Sequence, residues 1–132
     1  MRTLRQAAGD AAEQAAARHL TASGWRILAR NLHVGRAEID LLAVDPGPPA
    51  RLVAVEVRWR RRRDFGLPEE TVDRHKQARL RAAVGRLVAA HSLPDGSLLP
   101  GHPPAIDIVV VEPGPGPAAA TTIRHLRDAL DG

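Results

Sequence analysis

Three acidic residues stand among apolar or small neighbours in this chain: Glu13, Asp40 and Glu56. An ionised carboxylate in such surroundings costs several kcal/mol unless it is paired or bound to a metal. Carboxylate oxygens without a thiolate suit Mg²⁺ or Mn²⁺, with water and phosphate oxygens completing the coordination. We therefore expect these three residues to be metal ligands if the fold brings them together. The spacing leaves open the alternative that each acid pairs with an arginine.

Two of the acids lie in segments that alternate like β-strands, "AEIDLLAV" and "LVAVEVRW". Because side chains two residues apart share a face of a strand, we expect Glu38 and Asp40 on one face of the first segment. Ile39 and Leu41 are expected together on the opposite, apolar face. Glu56 shares a face of the next strand with Arg58, opposite the apolar face of Val53 and Val55, and Glu38 is a candidate supporting residue or alternative ligand.

The third acid lies on a predicted helix. Thr3 and Gln6 fit a capping box, and small or apolar residues then recur at helical spacing through Leu20. Gly24 follows as the end signal. Glu13 belongs to the stripe of small and apolar residues, which permits close packing on a sheet. If this helix covers the acidic face, Glu13 meets the two strand acids.

The remaining segments predict a single α/β domain over residues 1–132. The order is a helix, three strands, a second helix and the strand "AIDIVVVE", while "TTIRHL" is a fifth strand or the start of a last helix. The second helix is predicted from a cap at Asp73 to Ala90. Its packed side is expected to contain Val72, Lys76, Leu80, Ala83, Val84, Leu87 and Val88. The predicted fold is a mixed sheet of four or five strands flanked by helices.

Composition narrows the class of protein. The net charge of +4 and a pI near 11.1 favour an anionic partner, nucleic acid above all. All but one of the 19 basic residues is arginine, which is most simply a coding bias of the genome. The absence of cysteine excludes disulfides, thiolate zinc sites and cysteine nucleophiles. The charged start and the lack of a long apolar run predict a cytoplasmic protein without a membrane helix.

A block of basic residues follows the strand of Glu56. We expect Arg60, Arg61, Arg62 and Arg63 to contact a phosphate backbone, with a sequence-independent and salt-sensitive affinity. The alternative is a solvated loop enriched in arginine by the genomic bias. Trp59 is expected to cover the apolar face of the strand, with stacking on an unpaired base as its alternative.

The segments "GDAAEQAAARHLTASGWRILARN", "GRAEIDLLAVD" and "LVAVEVRWR" resemble consecutive signatures of the YraN family of bacterial proteins, placed in the PD-(D/E)XK nuclease superfamily. The resemblance continues through "DRHKQARL", "AIDIVVVE" and "TTIRHL", so it covers nearly the whole chain. It implies a restriction-endonuclease-like fold. It also implies that Glu13 is the acid of the first helix, Asp40 the metal-binding aspartate and Glu56 the acid of the (D/E)xK element.

The chain departs from that pattern at one position, because Arg58 stands where the superfamily carries lysine. Arginine keeps the positive charge that stabilises a developing phosphorane, but it stays protonated and cannot act as a base. Lys76, near the start of the second helix, resembles a displaced catalytic lysine; the alternative is a stem packed along the core with its head in solvent. Gln77 beside it is a candidate contact to phosphate. Asp107, also carried by the family, is expected to be a structural partner of an arginine.

These observations favour a metal-dependent endonuclease that acts on DNA, with branched or damaged structures as candidate substrates. Two alternatives stay open: a non-catalytic nucleic-acid-binding module that retains the nuclease fold, and a protein-interaction scaffold whose arginine rim meets an acidic partner. The sequence contains no zinc-finger spacing and no Walker pattern, so we expect recognition of backbone or structure rather than of base sequence.

Overall fold

The helices and strands follow the predicted order. A computed structural model describes residues 3–60, 74–112, 114 and 121–129. Its elements are α1 (Leu4–Ala22), β1 (Arg26–Val34), β2 (Ala37–Asp45), β3 (Arg51–Trp59), α2 (Arg74–Ala90), β4 (Pro104–Glu112) and β5 (Thr122–Leu126). The capping box of Thr3 and Gln6 is present, and "TTIRHL" contributes a strand rather than a helix. Asp73, the predicted cap of α2, lies outside the described residues.

The strands form one five-stranded mixed sheet in the order β1-β2-β3-β4-β5. The pairs β1–β2, β2–β3 and β4–β5 are antiparallel, whereas β3 and β4 are parallel. A parallel pair needs a long crossover, and α2 supplies it between β3 and β4. This α/β architecture is the predicted one and is consistent with a restriction-endonuclease-like fold. In the part of the chain that the structure describes, no helix is long and apolar enough to cross a membrane.

Each helix covers one face of the sheet. The small side chains of Ala12, Ala16 and Ala17 are buried, so α1 packs closely on a cluster that includes Val53 and Val55 of β3. The other face packs against the apolar side of α2, which buries Leu80, Ala83, Val84 and Leu87. The prediction that Val88 belongs to this packed side was wrong, since its side chain is 36% exposed. Val72 lies outside the described residues.

The alternation of β2 breaks at Asp40. Ile39 packs in the cluster of α2 and Leu41 in the cluster of α1, so the prediction that they share a face was wrong. The β1–β2 register pairs residues 30 with 41 and 32 with 39, which leaves Asn31 and Asp40 between these pairs. Asn31 has a φ of 49°, in the left-handed region that non-glycine residues rarely adopt. The hairpin is therefore locally distorted where it carries the strand acid.

β2 and β3 separate just past this distortion. Their register runs from Asp45–Arg51 to Leu41–Val55, after which β2 stays paired with β1 and β3 stays paired with β4. Asp40 and Glu56 are the first residues beyond the last pair. We call this divergence, with Asp40 on one branch and Glu56 on the other, the fork.

The opposite end of β3 lies in a network of ion pairs. Arg51 contacts Asp128 at 2.7 Å, Asp45 at 3.4 Å and Asp107 at 3.9 Å. Asp107 is fully buried and also lies 2.7 Å from His125 Nε2. Its other oxygen accepts the backbone N–H of Asp128 at 2.9 Å. The predicted role of Asp107 as a structural partner of an arginine is confirmed.

Candidate active site

Glu56 is the buried acid of the fork, with a side chain that is only 2% exposed. The apolar residues that precede it in β3 place it inside the sheet, where its carboxylate needs a counter-charge. Lys76 Nζ from the first turn of α2 lies 2.5 Å from Glu56 Oε1, and Arg58 lies 3.6 Å from the same oxygen. Glu56 Oε2 has no hydrogen-bonding partner among the residues that the structure describes. One oxygen is thus paired, while the other is a buried acceptor still available to a cation.

Asp40 faces Glu56 across the fork. Its Oδ2 accepts the backbone N–H of Val57 at 2.8 Å, a group that no longer pairs with β2 once the strands diverge. Burial, followed by the negative charge of Glu56, raises the pKa of Asp40 from 3.8 to about 8, while the Val57 hydrogen bond opposes that rise. The charge of Glu13 raises it further. The fork is therefore an anionic site that favours either a proton or a cation.

Glu13 reaches the same region from α1. Its side chain is half-buried, and burial, then the charge of Glu38, raises its pKa above the ordinary value. The charge of Glu56 acts in the same direction, so the helix acid lies within electrostatic range of the fork. α1 nevertheless packs on the face of Val53 and Val55, whereas Glu56 pairs with Lys76 of α2. The expectation that α1 covers the acidic face of β3 was wrong, and the meeting of Glu13 with both strand acids stays a prediction.

Asn31 joins these elements, and sequence reasoning missed it. With the amide nitrogen turned toward the acids, Nδ2 donates to Glu13 Oε2 at 3.0 Å and to Glu38 Oε1 at 3.1 Å. The hydrogen bond to Asn31 lowers the pKa of Glu13 against the effect of burial. One signal was available in the sequence, because asparagine is disfavoured inside strands and stands here in "WRILARN".

The acids do not form a complete metal-binding group as they stand. Within residues 3–60, 74–112 and 121–129, no three His, Asp or Glu side chains are arranged to hold an ion. The oxygen-only donor set and the unpartnered Oε2 of Glu56 nevertheless fit a hard divalent cation such as Mg²⁺ or Mn²⁺. The roles of Glu13, Asp40 and Glu56 as ligands stay predictions.

The basic residues lie on two sides of the fork. Arg58 follows Glu56 on β3 and Arg60 comes directly after the strand, and both are partly buried. Lys76 is 41% exposed, and its ammonium pairs with Glu56. Gln77 is half-buried beside it on α2. Arg61, Arg62 and Arg63 lie outside the described residues, so their predicted contact with phosphate is not tested.

Comparison with known proteins gives one consistent family. The family model described as "Uncharacterised protein family UPF0102", which is the YraN family, matches residues 12–111. That range contains the three acids and the lysine described above. A UPF0102 protein of Symbiobacterium thermophilum is 50% identical over 107 residues, which cover 81% of this chain and 83% of the relative. A relative from Roseiflexus castenholzii is 38% identical over 93% of this chain and 92% of its own length. A relative from Pseudomonas syringae is 36% identical over 98% of each chain.

Proposed function

The chain belongs to the uncharacterised protein family UPF0102, and we propose that it is a metal-dependent endonuclease that hydrolyses phosphodiester bonds of DNA. One observation supports this proposal above the others. Glu56 is buried at the fork with one oxygen on Lys76 and the other without a partner among the described residues, opposite a second carboxyl from Asp40. Such an arrangement of acid, acid and cation suits the binding of a divalent ion and a phosphate.

In this proposal Asp40 and Glu56 would hold Mg²⁺ or Mn²⁺, with Glu13 adding a third carboxylate directly or through water. The bound ion would supply Lewis acidity and lower the pKa of a water molecule. Lys76 places a positive charge at the buried acid, where negative charge develops on a phosphate under attack. Arg58 would add a second positive charge near the same oxygen, but its guanidinium cannot accept a proton.

The proposed substrate follows from shape and charge. Beyond the Leu41–Val55 pair the fork opens the sheet between β2 and β3, so the acids are not enclosed by a continuous ladder. Arg58 lies on β3 beyond this opening, and Arg60 comes directly after the end of the strand. Positive residues beside an acidic metal site would hold a phosphate backbone on both sides of the scissile bond. Branched or damaged DNA is the proposed substrate class.

The test is cleavage of single-stranded, duplex and branched DNA in Mn²⁺, in Mg²⁺ and in chelator, by the wild type and by Glu56→Gln. We expect products that require the metal and fall by at least about 100-fold in the variant. Asp95→Asn, an exposed acid in the loop after α2, is the matched control and should retain activity. Equal product from the wild type and Glu56→Gln would reject the proposal.

A second candidate is a non-catalytic nucleic-acid-binding module. It is favoured by Arg58 at the position of the superfamily lysine and by the close ion pair that engages Lys76. This function predicts binding that persists in chelator, weakens steeply with salt and is not followed by cleavage. Failure to bind DNA or RNA at low salt would reject it and leave the protein-interaction scaffold.

A further inference from the structure

Trp59 differs from the other tryptophan of the chain in its exposure. Trp25 is 7% exposed and packs against His125, whereas Trp59 is 39% exposed at the end of β3. The sequence predicts that Trp59 covers the apolar face of the strand, and 39% of the surface of this residue stays exposed to solvent. A single exposed apolar side chain is ordinary at a protein surface. Its location beside the fork is what makes it informative.

Trp59 lies on the part of β3 that β2 no longer covers. The β2–β3 register ends at Val55, while pairing with β4 continues to Trp59 and Val111. A cavity of about 220 Å³ opens there and is lined by Val57, Arg58, Trp59 and Arg60. We call these four residues the Trp59 ledge. Val57 and Trp59 lie on one side of this segment and Arg58 on the other, because side chains alternate along a strand.

The distance from the fork to the ledge matches a short stretch of nucleic acid. Trp59 is three positions beyond Glu56, which corresponds to about 10 Å at about 3.3 Å per residue. Stacked bases rise by about 3.4 Å each. Glu56 and Trp59 point to opposite faces of β3, so a nucleic-acid strand that crosses the open edge of β3 from a phosphate at Glu56 would bring a base within about three nucleotides to the indole. Arg58 and Arg60 lie where the intervening phosphates would pass.

We propose that the Trp59 ledge binds an unpaired nucleotide next to the phosphate held at the fork, with the base stacked on Trp59. An aromatic side chain stacks on the face of a base, and a base-paired duplex presents only base edges in its grooves. The substrate class is therefore a nucleic acid with single-stranded character beside the cleavage point, such as a flap, gap or junction. This inference rests on the proposed function for the cleavage step but not for the binding.

The experiment measures tryptophan fluorescence and affinity in chelator, where no cleavage occurs. We expect a thymidine oligonucleotide to quench the wild type more strongly than a blunt duplex of equal length. Trp59→Phe should lose most of the quenching, because Trp25 is buried, and should retain most of the affinity. Trp59→Ala should weaken binding of the oligonucleotide by roughly 5- to 100-fold, the loss expected for one base–aromatic stack, and weaken duplex binding less. Thermal melting of both variants verifies folding.

Two results would overturn the inference: unchanged affinity of Trp59→Ala for the oligonucleotide, or an equal loss for duplex and single strand. A uridine oligonucleotide that quenches equally would extend the ligand class to RNA. Cleavage assays on the same preparations separate the two proposals. Stacking without cleavage would support base binding by the Trp59 ledge and contradict the proposed nuclease activity. Metal-dependent cleavage without stacking would support the nuclease activity and contradict base binding by the ledge.

Discussion

Lys76 Nζ lies 2.5 Å from Glu56 Oε1, and this contact joins the first turn of α2 to the buried acid of β3. The glutamate is 2% exposed and the lysine 41%, so the pair lies at the boundary between core and solvent. The ammonium offsets part of the cost of burying the carboxylate. The same contact fixes a positive charge at the proposed reaction centre.

Lys76→Met should reduce both stability and activity. Among the described residues, Glu56 would keep only the more distant Arg58 as a counter-charge, so we expect the free energy of unfolding to fall by about 1–2 kcal/mol. Urea denaturation measures this change. In the double variant with Glu56→Gln the losses should be less than additive, because the buried charge is gone. Additive losses would show that the two side chains act independently.

The stability of the wild type should fall as the pH rises from about 4 to about 8. Folding raises the pKa of Asp40 from 3.8 to about 8, so across that window the native state holds a proton that the unfolded chain releases. The stabilisation of the native state by this proton is fully present below about pH 4 and is lost above about pH 8. Asp40→Asn can still accept the Val57 N–H but does not titrate. Its melting temperature in chelator should exceed that of the wild type by a margin that grows through the window, and a constant margin would contradict the shift.

Two variants separate the backbone conformation of Asn31 from the hydrogen bonds of its side-chain amide. Asn31→Gly suits the left-handed φ of 49° but removes the donor to Glu13 and Glu38. Asn31→Asp places a third carboxylate against the same two acids. We expect Asn31→Asp to lower the free energy of unfolding by about 1–2 kcal/mol at neutral pH and less in acid. Asn31→Gly should be milder, and equal effects at both pH values would assign the cost to the backbone.

Asp107→Asn should destabilise the protein without affecting the fork. The variant loses a buried charge that Arg51 and His125 face, at an expected cost of about 1–3 kcal/mol in denaturant unfolding. Mn²⁺ affinity, measured by calorimetry on folded protein, should stay within about twofold of the wild type. Glu56→Gln is the converse control, since it should weaken Mn²⁺ binding. Loss of Mn²⁺ affinity in Asp107→Asn would place that acid in the metal site.

Local patterns predicted most of the architecture. The capping box of Thr3, the helical spacing of α1 and α2 and the strand alternation around Glu56 are encoded by near neighbours, so the order of elements was predictable. The meeting of Glu13 with the strand acids was not predictable in this way, because it depends on which face of the sheet α1 covers. The faces on which the β2 side chains lie were not predictable, because the alternation breaks opposite Asn31 of the neighbouring strand. The Lys76–Glu56 contact depends on where the crossover places α2, which no local pattern specifies.

The two ends of β3 are held by different contacts. Arg51 at its start lies among paired acids, whereas Glu56 near its end lies where the ladder has already opened. Substitutions at the open end therefore leave the anchoring network in place. A relative that lacked the proposed nuclease activity would still fold, and it could be recognised only by the side chains at the fork, not by its architecture.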